Sequence, residues 1–255
     1  MINILKAEFK KFFKTKTFII LIIITLAFPL FTSGLYKILE NLIDNQGMIG
    51  IDNIISSLAV FDSSFGPLQN YGLILLIFIL VLVVNDFTQN TIRNKLIAGY
   101  KRTKVYLSST IFALTIMFVA VTIYAFLSYL LTGLFISFGN ETALDIIKAY
   151  FLNISSILVI YSFVVFNSYI FKRIGATLGI VLGTLFVIML AFSIISIGLE
   201  ENTINNILIV LPFLKIFSVV SAVKVNYLLS IIINLVYVGG ITGLGILATN
   251  KMDFK

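Results

Sequence analysis

Apolar residues in this chain come in long uninterrupted blocks that are separated by short polar stretches. A helix of about 20 apolar residues is needed to cross the roughly 30 Å apolar layer of a bilayer. Six blocks meet that length, at about Phe18–Tyr36, Pro67–Val84, Tyr106–Phe135, Ile147–Phe171, Ile174–Leu199 and Tyr227–Ala248. The pattern predicts an all-α integral membrane protein that forms a single transmembrane domain over residues 1–255.

The first sixteen residues, MINILKAEFKKFFKTK, mix apolar and basic side chains with a helical period. This pattern predicts an amphipathic helix, residues 1–16, that lies in the headgroup plane. Its apolar face carries Ile2, Leu5, Phe9, Phe12 and Phe13, and its basic face carries Lys6, Lys10 and Lys14. The alternative is a cleavable secretory signal ending near "TSG", which the long basic segment and the absence of an A-x-A pattern disfavour.

Two other segments are predicted at the outer membrane surface. The run Ile207–Phe217 is too short for a crossing and contains Pro212 and Lys215, so we expect a re-entrant or interfacial piece. Residues 37–66 have mild amphipathic character and are expected to form short helices at the same surface.

Charged residues predict the orientation in the membrane. With the N-terminus in the cytoplasm, the inner segments hold 14 of the 18 cations and three of the 11 acids. The net charge is then +11 inside and −4 outside, which together give the +7 of the chain. Because cytoplasmic loops favour Lys and Arg, we expect both termini in the cytoplasm. The basic balance therefore requires no nucleic-acid partner.

Composition narrows the possible chemistry. Hydrophobic residues make up 60% and charged residues 11% of the chain, and the mean hydropathy is +1.10. The absence of Cys and His excludes disulfides, thiolate nucleophiles and imidazole bases, and we expect no metal site and no catalytic residue. No G-x-x-x-x-G-K-[ST] motif is present, so this chain is not expected to hydrolyse ATP itself.

One polar stretch, residues 85–104, carries helix signals between two apolar blocks. Asn85, Asp86 and Thr88 are good N-cap types, and Gly99 suits a left-handed C-cap followed by Tyr100. Ile92 and Leu96 lie one turn apart and are expected to form a small exposed apolar knob beside Arg93. A basic cytoplasmic loop explains the charges alone, whereas the knob favours a helix that docks in a groove of a soluble partner.

The same stretch resembles the cytoplasmic loop between the second and third crossings of ABC-2-type permeases. The similar positions are Asp86, Phe87, Thr91, Ile92, Arg93, Leu96, Gly99 and Arg102. In that family the loop is the coupling helix, which fits a cleft of a separate ATPase subunit. The layout is also similar: an N-terminal amphipathic helix, six crossings, outer re-entrant helices and a short basic C-terminal tail, as in type V exporters. Within the family, small permeases of bacterial peptide exporters, of the phenol-soluble modulin or bacteriocin-immunity type, are most alike.

The resemblance implies a function and partners. It implies the permease subunit of an ATP-driven exporter in the plasma membrane of a bacterial cell. The cargo would be amphipathic peptides, such as cytolytic or antimicrobial peptides, and a second permease copy, identical or related, would complete the exporter. Two ATPase subunits would bind the ATP and Mg, and this chain would hold no cofactor. Alternatives are export of lipids or small antimicrobials, expulsion of a bacteriocin, or a non-transporting scaffold or sensor. The coupling residues implied are Asp86, Thr91, Ile92, Arg93, Leu96, Gly99, Tyr100 and Arg102.

Small and polar residues within the crossings are further candidates. The glycines Gly175, Gly179, Gly183, Gly239 and Gly243 favour either close helix packing within the chain or an interface with the second permease copy. Asn153, Ser156 and Asn167 share one helical face and either join helices by hydrogen bonds or line a transport pathway.

Two other function classes are disfavoured. No charged residue lies deep in a predicted crossing, which argues against a proton- or sodium-driven transporter. The segment EENTINN (200–206) has the paired glutamates of CAAX-type membrane proteases, but Asn205 stands where that family has Arg, and no His is present.

Overall fold

The computed structural model describes residues 1–44, 56–139, 142–198, 201–217 and 226–252. All regular secondary structure among these residues is helical. The helices, in chain order, are α1 (Ile2–Phe12), α2 (Lys16–Asp44), α3 (Ser57–Ser63), α4 (Asn70–Thr88), α5 (Thr91–Ile97), α6 (Arg102–Phe135), α7 (Ala143–Phe171), α8 (Ile174–Gly198), α9 (Glu201–Val210), a 3₁₀ helix (Pro212–Phe217) and α10 (Tyr227–Lys251). Six of these, α2, α4, α6, α7, α8 and α10, are long and apolar enough to cross a membrane. The chain is a multi-pass, all-α membrane protein, which confirms that part of the prediction.

The predicted crossings differ from these helices mainly at their polar ends. The second crossing is predicted to end at Val84, but α4 continues to Thr88. The prediction that Asn85, Asp86 or Thr88 caps the next helix is therefore wrong, because all three lie inside α4. Continuing the helix keeps the backbone groups bonded as the chain leaves the apolar layer. The next helix instead follows Asn90, whose backbone is left-handed with φ 54°, a conformation that Asn tolerates.

α7 lies at the centre of the bundle. It packs against α4, α6, α8, α10 and the 3₁₀ helix, and its Leu152, Val164 and Val165 are fully buried. α2, α8 and α10 are peripheral, and each exposes large apolar side chains, such as Ile20, Val187 and Leu247. Exposed apolar faces of this kind suit helices whose outer side meets lipid tails.

The N-terminal helix and the end of the C-terminal helix lie at the same end of the bundle, where each contacts another helix. Lys11 on α1 contacts Asp86 near the end of α4, with 3.3 Å between Nζ and Oδ1. Arg102, at the start of α6, donates hydrogen bonds to the carbonyls of Asn250 (3.1 Å) and Met252 (2.7 Å) at the end of α10. We call this the basic end, formed by α1, α5 and the ends of α4, α6 and α10. Residues 253–255 of the predicted C-terminal tail lie outside the described residues.

The opposite end carries the connections between α2 and α4 and between α8 and α10. Ser57 on α3 donates a hydrogen bond to the carbonyl of Phe138, which follows α6 (2.8 Å). The run Ile207–Phe217, predicted to be re-entrant or interfacial, is divided at Leu211 between α9 and the 3₁₀ helix, and the 3₁₀ helix packs on α7. Residues 45–55 of the predicted outer segment lie outside the described residues.

Two neighbouring glycines on α10 have different surroundings. A Cβ atom on Gly245 would overlap the ring and hydroxyl of Tyr106 on α6, whereas a Cβ on Gly243 would meet no atom within 4 Å. Tyr106 is fully buried and its ring is rigid. Gly245 therefore permits the close approach of α10 to α6.

We expect Gly245→Ala to lower the free energy of unfolding by about 1–3 kcal/mol, because Tyr106 must move to admit the methyl group. Gly243→Ala is the matched control and is expected to be neutral or slightly stabilising, since Ala has the higher helix propensity. Thermal unfolding of the two purified variants in the same detergent measures this difference. Equal melting temperatures would contradict the packing role of Gly245.

Candidate functional site

α5 is held in a fixed orientation at the basic end by its C-terminal cap. Gly99 has φ 86°, in the left-handed region that glycine adopts without strain. The amide of Tyr100 donates to the carbonyl of Lys95 (3.2 Å), and the amide of Gly99 donates to the carbonyl of Leu96 (3.0 Å). This pair of hydrogen bonds is the Schellman motif. It confirms the predicted left-handed cap at Gly99.

One face of α5 packs into the protein. Ile92 is only 2% exposed and belongs to the buried core, and Leu96 is half-buried against that core. The expectation that Ile92 and Leu96 form an exposed knob is therefore wrong for Ile92 and holds only in part for Leu96. The reason is that the adjoining ends of α4 and α6 contact α5 and give this short helix a core to enter.

The same inward face carries a buried ionic cluster, which we call the Lys95 cluster (Glu8, Lys11, Asp86, Lys95 and Ser108). The Nζ of Lys95 donates to Oε1 of Glu8 at 2.6 Å and to Oδ2 of Asp86 at 3.3 Å. The hydroxyl of Ser108 donates to the other Glu8 oxygen at 3.2 Å. The side chains of Glu8 and Lys95 are 6% and 14% exposed. Through these bonds α1, α4, α5 and α6 are joined at one point.

The electrostatics of the Lys95 cluster keep the lysine charged. Burial lowers the pKa of Lys95, but Asp86 and Glu8 together outweigh burial, so its pKa is raised above the ordinary value. Burial raises the pKa of Glu8, and Lys95 opposes that rise. The two carboxylates raise the pKa of the ammonium group between them, whereas the pKa of Glu8 rises because burial disfavours its charged form. The cluster therefore pairs one ammonium group with two carboxylates and joins the helices that carry them.

The opposite face of α5 is exposed and carries an apolar side chain among cations. Ile97 is 75% exposed, and Tyr100 is also exposed. Arg93 lies one turn before Ile97 on the same face, and Lys101 follows the cap. These residues, with Leu96 and Arg102, line an open hollow of about 510 Å³. The sequence analysis missed Ile97, although its spacing of four from Arg93 already placed the two on one face.

The remaining predicted coupling residues make contacts within the chain. Asp86 contacts both Lys11 and Lys95 at 3.3 Å. The hydroxyl oxygen of Thr91 accepts a hydrogen bond from Nζ of Lys11 at 3.4 Å. Arg102 holds the end of α10, as described above. Arg93 and Tyr100 are therefore the predicted residues that point away from the bundle together with Ile97, and the coupling role of the whole set stays a prediction.

The polar residues predicted on one face of α7 are buried. Asn153 donates to Oδ1 of Asp62 on α3 at 2.7 Å, and Ser156 accepts a hydrogen bond at 2.9 Å from Asn234 on α10. Asn167 donates to a carbonyl of its own helix. Asn153 and Ser156 thus join helices in this structure, and a pathway-lining role for the three residues stays a prediction. Asn234 was not singled out by sequence analysis, because its partners lie 78 and 79 residues away.

Within the described part of the chain, the five candidate glycines do not pack against other helices. A Cβ atom would meet none of its atoms within 4 Å at Gly175, Gly179, Gly183, Gly239 or Gly243. Of the two predicted roles, close packing within the chain therefore finds no support among the described residues. On α8 three of them recur every fourth residue and form an exposed strip of small residues, and an interface with a second copy stays a prediction.

The protease alternative rested on the paired glutamates of the outer segment. Glu200 lies outside the described residues, and α9 begins at Glu201. Within the described part of the chain, no three acidic side chains come together in a way that could hold a metal ion.

No protein-family model matches the chain, and no curated protein matches it. The similarity to ABC-2-type permeases therefore rests on the residues between Asp86 and Arg102 and on the order of the helices.

We expect Lys95→Met to lower the free energy of unfolding by about 3–5 kcal/mol near neutral pH, because it leaves the carboxylate of Glu8 buried without a cation and leaves Asp86 with Lys11 alone. The loss is expected to shrink as the pH falls towards 5. Burial already raises the pKa of Glu8, and removing Lys95 raises it further, so the folded state takes up a proton that the unfolded state does not yet hold.

Unfolding in detergent between pH 5 and pH 8 measures this dependence. Lys10→Met is the control, since Lys10 is exposed and has no ion-pair partner within the described residues, and we expect it to change stability by less than about 0.5 kcal/mol. A loss in Lys95→Met that stays constant over this pH range would contradict the charged state of Glu8.

Proposed function

We propose that this chain is the permease subunit of an ATP-driven bacterial exporter of the ABC-2 type. The observation that supports this most directly is the two-faced arrangement of α5. Its inner face is fixed to the bundle through Ile92 and the Lys95 cluster. Its outer face offers Ile97 and Tyr100 among cations. A helix that is anchored on one side and exposed on the other can carry a partner's movement into α4 and α6.

The chemistry of the exposed face indicates the kind of surface that it would meet. Ile97 would enter an apolar pocket, and the cations Arg93 and Lys101 would face carboxylates at the pocket's rim. We propose that this surface belongs to a separate cytoplasmic ATPase, present in two copies, which binds ATP and Mg. The basic end would then lie in the cytoplasm, in agreement with the charge asymmetry of the loops.

The proposed cargo is an amphipathic peptide that is moved outward or out of the inner leaflet. The crossings lack a deep ionisable residue in the sequence, so the energy for transport would come from the ATPase. Lipids or small antimicrobials remain the alternative cargo within this class, and resemblance alone favours peptides.

A second copy of the permease is part of the proposal. The exposed strip of Gly175, Gly179 and Gly183 on α8 would let another helix approach closely. Among the described residues, a Cβ at these positions would meet no atom within 4 Å, so packing inside one subunit gives no reason for the strip.

We expect Ile97→Asp to abolish co-purification with a co-expressed ABC ATPase subunit that binds the wild-type chain, since a carboxylate would enter an apolar pocket of the partner. Ile97 is 75% exposed, so the variant is expected to fold and insert normally. Leu144→Asp is the matched control, because Leu144 is an exposed leucine at the opposite end of the bundle.

The two variants separate the possible results. Loss of the ATPase in Ile97→Asp and its retention in Leu144→Asp would support coupling through α5. Binding that survives in Ile97→Asp would contradict it. An ATPase that binds wild type but whose hydrolysis the permease and cargo never stimulate would favour the non-transporting scaffold.

We expect Gly179→Leu to prevent association of two permease copies while leaving the fold intact, because the new side chain has free space within one subunit. Ala191→Leu, at another exposed position of α8, is the control. Cross-linking of vesicle-embedded protein measures the dimer fraction, and an unchanged fraction in Gly179→Leu would exclude this strip as the interface.

A further inference from the structure

An apolar groove of about 430 Å³ lies between α1, α2 and α6. Its walls include Phe9 and Phe13 of α1, Phe18, Ile22 and Leu26 of α2, and Ile123 of α6. The lining residues of α2 run from Phe18 to Leu26, so the groove extends about 12 Å along that helix. It thus begins at the amphipathic helix and continues into the apolar layer, which is the course of a lipid tail.

The groove contains almost no free hydrogen-bonding group. Its two polar side chains are Thr25 and Thr115. Thr25 donates its hydroxyl proton to the carbonyl of Leu21 at 2.7 Å, and Thr115 donates to the carbonyl of Ile111 at 2.7 Å. A peptide backbone in the groove would leave its own amides and carbonyls unpaired. A hydrocarbon chain has no such groups, so the groove suits a lipid better than a peptide.

Cations stand beside the mouth of the groove. On α1, at about 100° per residue, the buried residues Ile4, Glu8 and Phe12 form one face, Phe9 and Phe13 form the next, and Lys6 and Lys10 follow beyond Phe13. Lys14 lies in the turn that joins the two groove-lining helices, α1 and α2. All three lysines are exposed, and none has an ion-pair partner in the part of the chain that the structure describes.

We propose that this groove is a binding site for an anionic phospholipid of the surrounding bilayer. One acyl chain lies along Phe9, Phe13, Ile22 and Leu26, and the phosphate is held by Lys10 and Lys14. The apolar walls explain affinity for a lipid tail, and the two ammonium groups explain the preference for a negative headgroup. The site is independent of the proposed transport function, since it involves neither α5 nor a partner.

The chain has no tryptophan, so a single introduced tryptophan reports on one position. Ile22→Trp puts the probe on the groove wall, and Ile180→Trp on α8 is the matched control. The two isoleucines are 39% and 40% exposed, and each lies six residues after the start of its helix. The variants are reconstituted in vesicles that contain brominated phosphatidylglycerol or brominated phosphatidylcholine, and quenching of fluorescence is measured.

At Ile22→Trp we expect the anionic brominated lipid to quench at a mole fraction about fivefold lower than the zwitterionic one, since each lysine near the surface favours anionic lipid by about that factor or less. At Ile180→Trp the two lipids should quench alike. Adding Lys10→Gln and Lys14→Gln to Ile22→Trp should remove the difference.

Equal quenching by both lipids at Ile22→Trp would overturn the site, and so would a preference that survives the two lysine changes. Leu26→Trp provides a second probe in the same groove should Ile22→Trp insert poorly, because Leu26 is also exposed. A preference of similar size at Ile180→Trp would also overturn the proposal, since it would reflect the whole surface rather than this groove.

Discussion

The bilayer offers no water to hydrogen-bond, and most of this structure follows from that constraint. Backbone groups within the crossings bond inside their own helices. Polar side chains do the same where they can: on α7, Ser155, Ser156, Ser162 and Ser168 each donate to a carbonyl three or four residues earlier. A polar residue in a crossing is therefore no sign of a transport pathway by itself. Asn153 and Asn234 matter because they reach other helices.

The same constraint applies to charge at the membrane surface, where Lys95 is held between two acids. An unpaired ammonium group at this depth would lose hydration without compensation. With Glu8 and Asp86 in place, the charge instead fixes α5 against α1 and α4. This explains how a seven-residue helix, too short to be stable alone, keeps a defined exposed face. The ion pairs on the inner face set the orientation of α5, and the Gly99 cap sets where the chain turns towards α6.

The local sequence pattern was sufficient to predict the crossings and the left-handed cap at Gly99. It was insufficient to predict which face of α5 is buried and which is exposed. Long apolar runs and a glycine at a helix end each have one favourable structure. The orientation of α5 depends instead on contacts with distant parts of the chain, since Lys95 pairs with Glu8, which lies 87 residues away. A clue did exist: Glu8 is the first acid in a strongly basic segment, and the next is Glu40. A lone acid on the inner face of a basic helix indicates that it pairs with a cation from another part of the chain, but the sequence does not identify that cation.

α1 connects the two surfaces proposed here, because different faces of one short helix serve each. Glu8 and Phe12 face the bundle and α5, whereas Phe9 and Phe13 face the groove. A lipid in the groove can influence partner binding at α5 only if α1 can adopt two positions in the protein and the lipid binds with different affinity to each. Linkage then requires the reverse effect as well: a partner that shifts α5 would change lipid affinity by the same factor. A rigid α1 would leave the two sites independent. Whether the two sites are coupled or independent depends on the Lys95 cluster, because its ion pairs join α1 to α5.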